Sequence, residues 1–274
     1  MSLSNTAKRV LVSVITIPVI LAVSYIGSFV FFSFVVAVAL ISFYEFSSMV
    51  KNKGVSVNNW IGYFSIIFLA VNQFNNVFDT NTFVLLLMIL ISAVELFRNK
   101  DSAIYNIGAT LLGIFYIGAF ASSLIGIREF YPAVGEIYLR GGYVIISMFV
   151  TIWICDSAAF FGGTAFGKHK MFVRVSPNKS WEGAVFGFIF ALLTMILLKE
   201  IILNFLSWET VIAFGIIIGT IGQIGDLIES LFKRDAGVKD SSNLIPGHGG
   251  IFDRFDSLLF TAPVILLCLK YFQR

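Results

Sequence analysis

Apolar runs, each about as long as a bilayer is thick, follow one another through this chain almost without interval. A helix rises 1.5 Å per residue, so about 20 apolar residues cross roughly 30 Å of hydrocarbon. Runs of that order fall at residues 10–27, 29–49, 60–78, 82–97, 104–127, 142–164, 182–206, 209–231 and 255–272. Glu45, Asn72 and Gln73 interrupt the second and third. At membrane depth the backbone must satisfy its own hydrogen bonds, so such runs are helices. A transmembrane barrel would instead alternate apolar and polar residues in segments of about ten, a pattern not seen here. The expected fold is therefore all-α: a polytopic membrane protein with about nine transmembrane helices. Composition agrees, since 58% of the 274 residues are hydrophobic and 13% charged, against about 25% charged in soluble domains.

Lys8-Arg9 before the first run, with Ala22-Val23-Ser24 near its end, resembles a secretory signal. A second apolar run begins at Phe29 with no soluble stretch between, so a retained first span is expected. The net charge of +3 is too small to suggest a nucleic-acid partner, and the placement of the charges is more informative than their sum. With the N-terminus inside, 14 of the 19 basic residues fall on inside segments. The positive-inside rule then favours a cytoplasmic N-terminus and an outside C-terminus. The expected location is a bacterial inner membrane, with membrane lipids as partners, and the sequence admits a homodimer. Cys155 and Cys268 both lie inside apolar runs and read as packed or lipid-facing residues.

The chain reads as one integral membrane domain, 1–274. Residues 1–141 form a transmembrane scaffold, and 142–274 a catalytic half with cytoplasmic loops at 165–181 and 232–254. In that second half Asp226 is preceded by Gly215, Gly219 and Gly222 at steps of four, three and four, which places it on a close-packing helical face. Glu229 follows three residues later, and Asp253 and Asp256 are again three apart at the start of the last run. Inward carboxylates at membrane depth are costly unless paired or cation-bound. Hard oxygen ligands of this kind suit Mg²⁺, which shares its shell with substrate phosphates. Pairing with Lys233, Arg234 and Arg254 is the other reading, and the two can coexist.

Pro246-Gly247-His248-Gly249-Gly250 precedes the last helix, where free N–H groups could cradle a phosphate. His248 as a general base is a further option. Upstream, Asp156 sits inside an apolar run, and Lys168, His169, Lys170, Arg174 and Lys179 crowd one loop. Attraction to anionic lipid is the alternative account of the cluster at Lys170 and Arg174. Lys179, in S-P-N-K-S-W-E-G directly before a span, suits a point-charge phosphate ligand. No Ser-His-Asp set or reactive Cys is visible, so metal-assisted phosphoryl or nucleotidyl transfer fits best.

The segment from Ser230 to Asp256, S-L-F-K-R-D-A-G-V-K-D…P-G-H-G-G-I-F-D-R-F-D, resembles the signature of the phosphatidate cytidylyltransferase family. The stretch D-S-A-A-F…G-K…S-P-N-K-S-W-E-G resembles the same family's upstream motif, with Ser180 where Thr is common. The likeness covers most of residues 150–274. It implies that CTP and phosphatidate give CDP-diacylglycerol and pyrophosphate with Mg²⁺. By position, Asp226 and Asp253 would hold metal with Asp256 and Asp156 in support. Lys179, Lys233, Arg234, Lys239 and Arg254 would meet phosphates, and Lys168, Asn178, His248 and Gly249 complete the substrate-binding candidates. The rivals are another CTP-dependent lipid enzyme (a polyprenol kinase or a CDP-archaeol synthase) and an ion-coupled transporter. A transporter would place its carboxylates nearer the midplane.

Overall fold

The computed structural model describes residues 5–245 and 249–273, with side chains from Val12 onward. His248 and its neighbours Pro246 and Gly247 lie outside the described residues. Each of the nine apolar runs is helical: α1 Asn5–Ile26, α2 Ser28–Val50, α3 Asn59–Asn75, α4 Thr80–Arg98, α5 Ala103–Arg128, α6 Leu139–Phe166, α7 Trp181–Ile201, α8 Trp208–Asp235 and α9 Phe252–Phe272. Seven segments, carrying α2 and α4 to α9, are long and apolar enough to cross a membrane. Within α1, Val12–Ile26 forms a shorter apolar helix. The third is cut to 17 residues. Asn76 adopts a left-handed conformation (φ 50°), and the Asn72 side chain accepts from the Phe78 N–H at 2.8 Å, which ends α3 before the apolar run does.

One feature was not expected from the apolar pattern. Between α6 and α7 the chain forms a small antiparallel hairpin, β1 Lys170–Phe172 and β2 Ser176–Ser180, pairing Lys170 with Ser180 and Phe172 with Ser176. Pro177 is tolerated in β2 because a two-stranded ribbon leaves one edge of each strand unpaired. Ser180 then caps α7, its hydroxyl accepting from the Gly183 N–H at 3.2 Å. Ser180→Ala should lower stability by about 1 kcal/mol, the usual worth of such a cap. Thermal unfolding of the purified protein would register it, and an unchanged midpoint would argue that the cap is dispensable.

The helices α6 and α7 pack along a seam of small residues. A side chain at Gly183 would meet the Ala159 carbonyl and the Gly163 backbone, and one at Gly187 would meet Cys155 and Ala159. Such close approach, rather than hydrophobic driving force, is what holds helices together in lipid. Helices α5 and α8 each contain a π-helical turn, Ile114–Ala119 and Ile218–Gly222. The second changes the expected phase of α8. Gly215 and Gly219 face Leu192 and Phe188 of α7, whereas Gly222 and Gly225 face Thr261 and Phe260 of α9. The glycines thus serve two helix contacts in succession instead of one face leading to Asp226.

The two ends of the bundle differ. At one, Lys53 pairs with Asp235 at 3.3 Å, joining the end of α2 to the end of α8 beside the start of α9. At the other, the fully buried Arg128 donates to the carbonyls of Ser24 (2.7 Å), Tyr25 (2.8 Å) and Tyr138 (3.2 Å) and stacks on the Tyr138 ring. Gly27 (φ 72°) has no room for a side chain because this guanidinium fills the space.

Candidate active site

The hairpin and the ends of α2, α6, α8 and α9 bring together most of the charged residues singled out in the sequence. The hairpin places Lys179 against α8, where its Nζ lies 2.5 Å from Asp226 Oδ2. Both side chains are about one-third exposed, so the pair sits at an accessible margin. Asp156 on α6 and Asp256 on α9 share this neighbourhood. Asp226 is the foremost charge acting on each of them, and Lys179 and Arg254 act on Asp156 as well. Asp256 is buried while Asp156 is exposed. Three carboxylates and a lysine from four separate elements therefore lie within electrostatic reach of one another. Tyr116, on the π turn of α5, has a buried hydroxyl with no hydrogen-bond partner among the described residues and lies within electrostatic reach of Asp256, Glu229 and Asp226.

Asp253 belongs to a second, adjoining cluster. Lys233 Nζ lies 2.6 Å from Glu229 Oε2 and 2.8 Å from Asp253 Oδ1, and its side chain is only 12% exposed. The spacing of Glu229 and Lys233, four residues apart on a helix, lets them pair within α8. The other Asp253 oxygen accepts from Ser241 N (3.0 Å), Ser241 Oγ (2.9 Å) and Gly250 N (2.7 Å). Both oxygens of Asp253 are thus engaged by the protein, and Lys233 is held between two carboxylates.

The glycine-rich approach to α9 differs from the expected phosphate cradle. Gly250 donates its N–H to Asp253, while Ile251 and Phe252 donate theirs to Glu45 at 3.0 and 2.8 Å. These groups at the head of α9 are already satisfied by the chain's own carboxylates. Gly249 (φ 82°) adopts a conformation that L side chains rarely take, and a side chain there would run into Asp253. Its role in the structure is close approach and turning.

Arg234, Lys239, Lys168 and Asn178 are exposed around the same end. Arg234 reaches back to the carbonyls of Val175 (3.2 Å) in the hairpin turn and Val238 (2.9 Å), tying the hairpin to the end of α8. Arg254 is also exposed. Glu182 fixes the hairpin base, accepting from His169 N at 3.2 Å and pairing with His169 Nδ1 at 2.6 Å. On the outer wall, an apolar groove of about 440 Å³ runs between α6 and α7, lined by Ile154, Ser157, Ala158, Phe161, Phe186 and Phe190, on a face of α6 that does not include Asp156.

Sequence reasoning passed over Glu45, reading it as an interruption of the second run, and it passed over Ser241, Ser242 and Tyr116. For Glu45 the signal was present, because an ionisable residue within a transmembrane segment is a site candidate by default. For the serines and the tyrosine nothing in spacing or composition marks them.

Among the described residues, no three His, Cys, Asp or Glu side chains converge closely enough to hold a metal ion by themselves. The donor set is nonetheless suited to a hard cation that completes its shell elsewhere. Mg²⁺ is commonly bound through one or two carboxylates plus waters and substrate phosphates, rather than by an all-protein cage.

A multi-span helical membrane protein with interleaved carboxylates and cations at one end is the class that this fold and site define. Residues 7–272 match the cytidylyltransferase family, and the chain belongs to that family; it is a nucleotidyltransferase. It is 33% identical over 266 residues to the phosphatidate cytidylyltransferase of Staphylococcus saprophyticus, covering 95% of this chain and 98% of that one. The phosphatidate cytidylyltransferases of Staphylococcus haemolyticus and Staphylococcus aureus are each 32% identical, with the same coverage.

Proposed function

We propose that this chain transfers CMP from CTP to phosphatidate, giving CDP-diacylglycerol and pyrophosphate, at the cytoplasmic face of a bacterial membrane. The observation that carries the reading is the Lys179–Asp226 pair, set near Asp156 and Asp256 at one end of the bundle. In this reaction a lipid phosphate oxygen attacks the α-phosphorus of CTP, and the bond to the β-phosphate bridging oxygen breaks as pyrophosphate departs. Two anions must meet, so the protein's task is positioning and charge neutralisation.

Lys179 meets a phosphate by leaving its carboxylate partner, a short movement for a flexible, partly exposed ammonium. Arg234, Lys239, Arg254 and Lys168 surround the nucleotide phosphates, with Asn178 donating beside Lys179. Lys233 contributes its charge from within the Glu229–Asp253 pair. Mg²⁺ would be held by Asp226 and complete its shell with waters and substrate phosphates, with the charges of Asp256 and Asp156 nearby, and when bound it would supply neutralisation of the triphosphate. Asp253, fully hydrogen-bonded, acts by fixing Lys233. The groove between α6 and α7 offers the acyl chains a place in the bilayer, and the headgroup enters at the charged end of the bundle. The placement of basic residues supports a cytoplasmic N-terminus and site, with the Arg128 end outside.

The fate of the CTP phosphates tests the reading. With purified protein, Mg²⁺ and phosphatidate, α-labelled CTP should deliver its label to the chloroform phase, while γ-label should remain in water as pyrophosphate. Organic-phase counts from γ-label alone would mean attack at the γ-phosphorus and a lipid kinase.

A further inference from the structure

We infer that Glu45, on α2, is a positioning residue for this site: it clamps the Ser241–Ser242 segment and the first turn of α9, and through Ser241 it sets the placement of Asp253. The inference rests on the reaction proposed above for its kinetic reading. Glu45 is 1% exposed, in a helix otherwise packed with Phe31, Val35, Phe43 and Phe46. A carboxylate so placed is tolerated only if its oxygens are fully hydrogen-bonded. They are, and every donor comes from one short stretch some 200 residues away in sequence. Oε1 accepts from Ser242 Oγ at 2.6 Å and Ile251 N at 3.0 Å; Oε2 accepts from Ser241 Oγ at 3.1 Å and Phe252 N at 2.8 Å. The two N–H groups belong to the head of α9, where the helix dipole also favours a negative charge.

Ser241 makes the connection to the site. Its single hydroxyl proton faces both Glu45 Oε2 and Asp253 Oδ2, the latter at 2.9 Å. Glu45, Ser241, Asp253, Lys233 and Glu229 thus form one continuous chain of polar contacts from α2 to α8. Gly250 records how tightly the clamp closes, since a side chain there would occupy the space of Glu45 and Ser241. A helix of the half expected to be scaffold therefore holds the catalytic half in register.

Glu45→Gln keeps the shape but must turn an NH₂ toward donors. The serine hydroxyls can rotate to accept it, but a backbone N–H of α9 cannot, so one is left unpaired. In the full-length protein, kcat/KM for CTP should fall at least tenfold in Glu45→Gln, with a raised KM for CTP, and Ser241→Ala should show the same pattern more mildly. Val38→Ala, a buried change on α2 away from the loop, should lower the unfolding temperature yet leave KM for CTP unchanged. Loss of folded protein reduces the active fraction but does not alter KM, so this split separates positioning from bulk stability. An unchanged KM in both Glu45→Gln and Ser241→Ala would overturn the inference. Amide exchange over residues 249–253 gives a readout that needs no substrate. It should quicken in Glu45→Gln and not in Val38→Ala, and equal exchange in the two would also overturn the inference. Absence of CTP turnover in the unaltered protein would instead count against the proposed reaction and leave the exchange result to decide on Glu45.

Discussion

Asp226→Asn is expected to lower turnover at least 100-fold, about 2.7 kcal/mol of barrier, in protein that still inserts and purifies normally. The two halves of that expectation come from the same geometry. Asp226 and Lys179 are each about one-third exposed, and an ion pair at such a margin contributes little to stability, about 0–1 kcal/mol. Folding therefore survives the change. Catalysis does not, because Asn keeps the size of Asp226 but removes the charge around which Lys179, Asp156 and Asp256 are arranged, and with it the hard anionic ligand for a cation. Steady-state assay with CTP and phosphatidate, beside a melting curve, gives both numbers. A variant that keeps more than a tenth of the rate would remove Asp226 from the reacting centre.

Lys233→Met carries the opposite signature, a loss of fold as well as of activity. The Lys233 side chain is 12% exposed, and it lies between Glu229 and Asp253, which are 0% and 4% exposed at the side chain. Removing one partner of a buried ionic cluster leaves the others uncompensated, at a cost of about 3–5 kcal/mol. The variant should melt far below the parent and accumulate poorly. Adding Glu229→Gln removes one of the stranded charges and should recover part of the loss. Equal melting temperatures for the parent and Lys233→Met would show that the two carboxylates do not need their lysine. The contrast with Asp226 is one of depth: the same kind of pair is replaceable for stability at the margin and indispensable inside.

The helical architecture was legible because lipid imposes its constraint on every residue of a span, so run length alone marks the helices. What escaped was local. The hairpin at Lys170–Ser180 depends on pairing between two short polar strands, which leaves no periodic apolar trace. The early end of α3 depends on what Asn72 and Asn76 do with their side chains. At the candidate site, the carboxylates and cations stand out in the sequence because ionisable groups near membrane spans are conspicuous. Their partition into a Lys179–Asp226 group and a Lys233–Asp253 group was not, since spacing along α8 and α9 says which residues share a face and nothing about which pair across. The N–H groups at the head of α9 were read as open to phosphate because Glu45, their actual partner, lies far away in sequence.

The π turn of α8 has a bearing on how this chain tolerates insertion and deletion. A π turn is an α-helix carrying one extra residue in a turn, and each residue of an α-helix advances the side chains by about 100°. Excising a single residue from Ile218–Gly222 would let α8 relax into regular helix while leaving everything beyond it in phase, because the turn already absorbs the extra residue. Gly225 would keep its contact on α9, and Asp226, Glu229 and Lys233 would still meet Lys179 and Asp253. Among relatives aligned to this chain, a one-residue gap in that stretch would therefore mark a lost π turn with the site still in register.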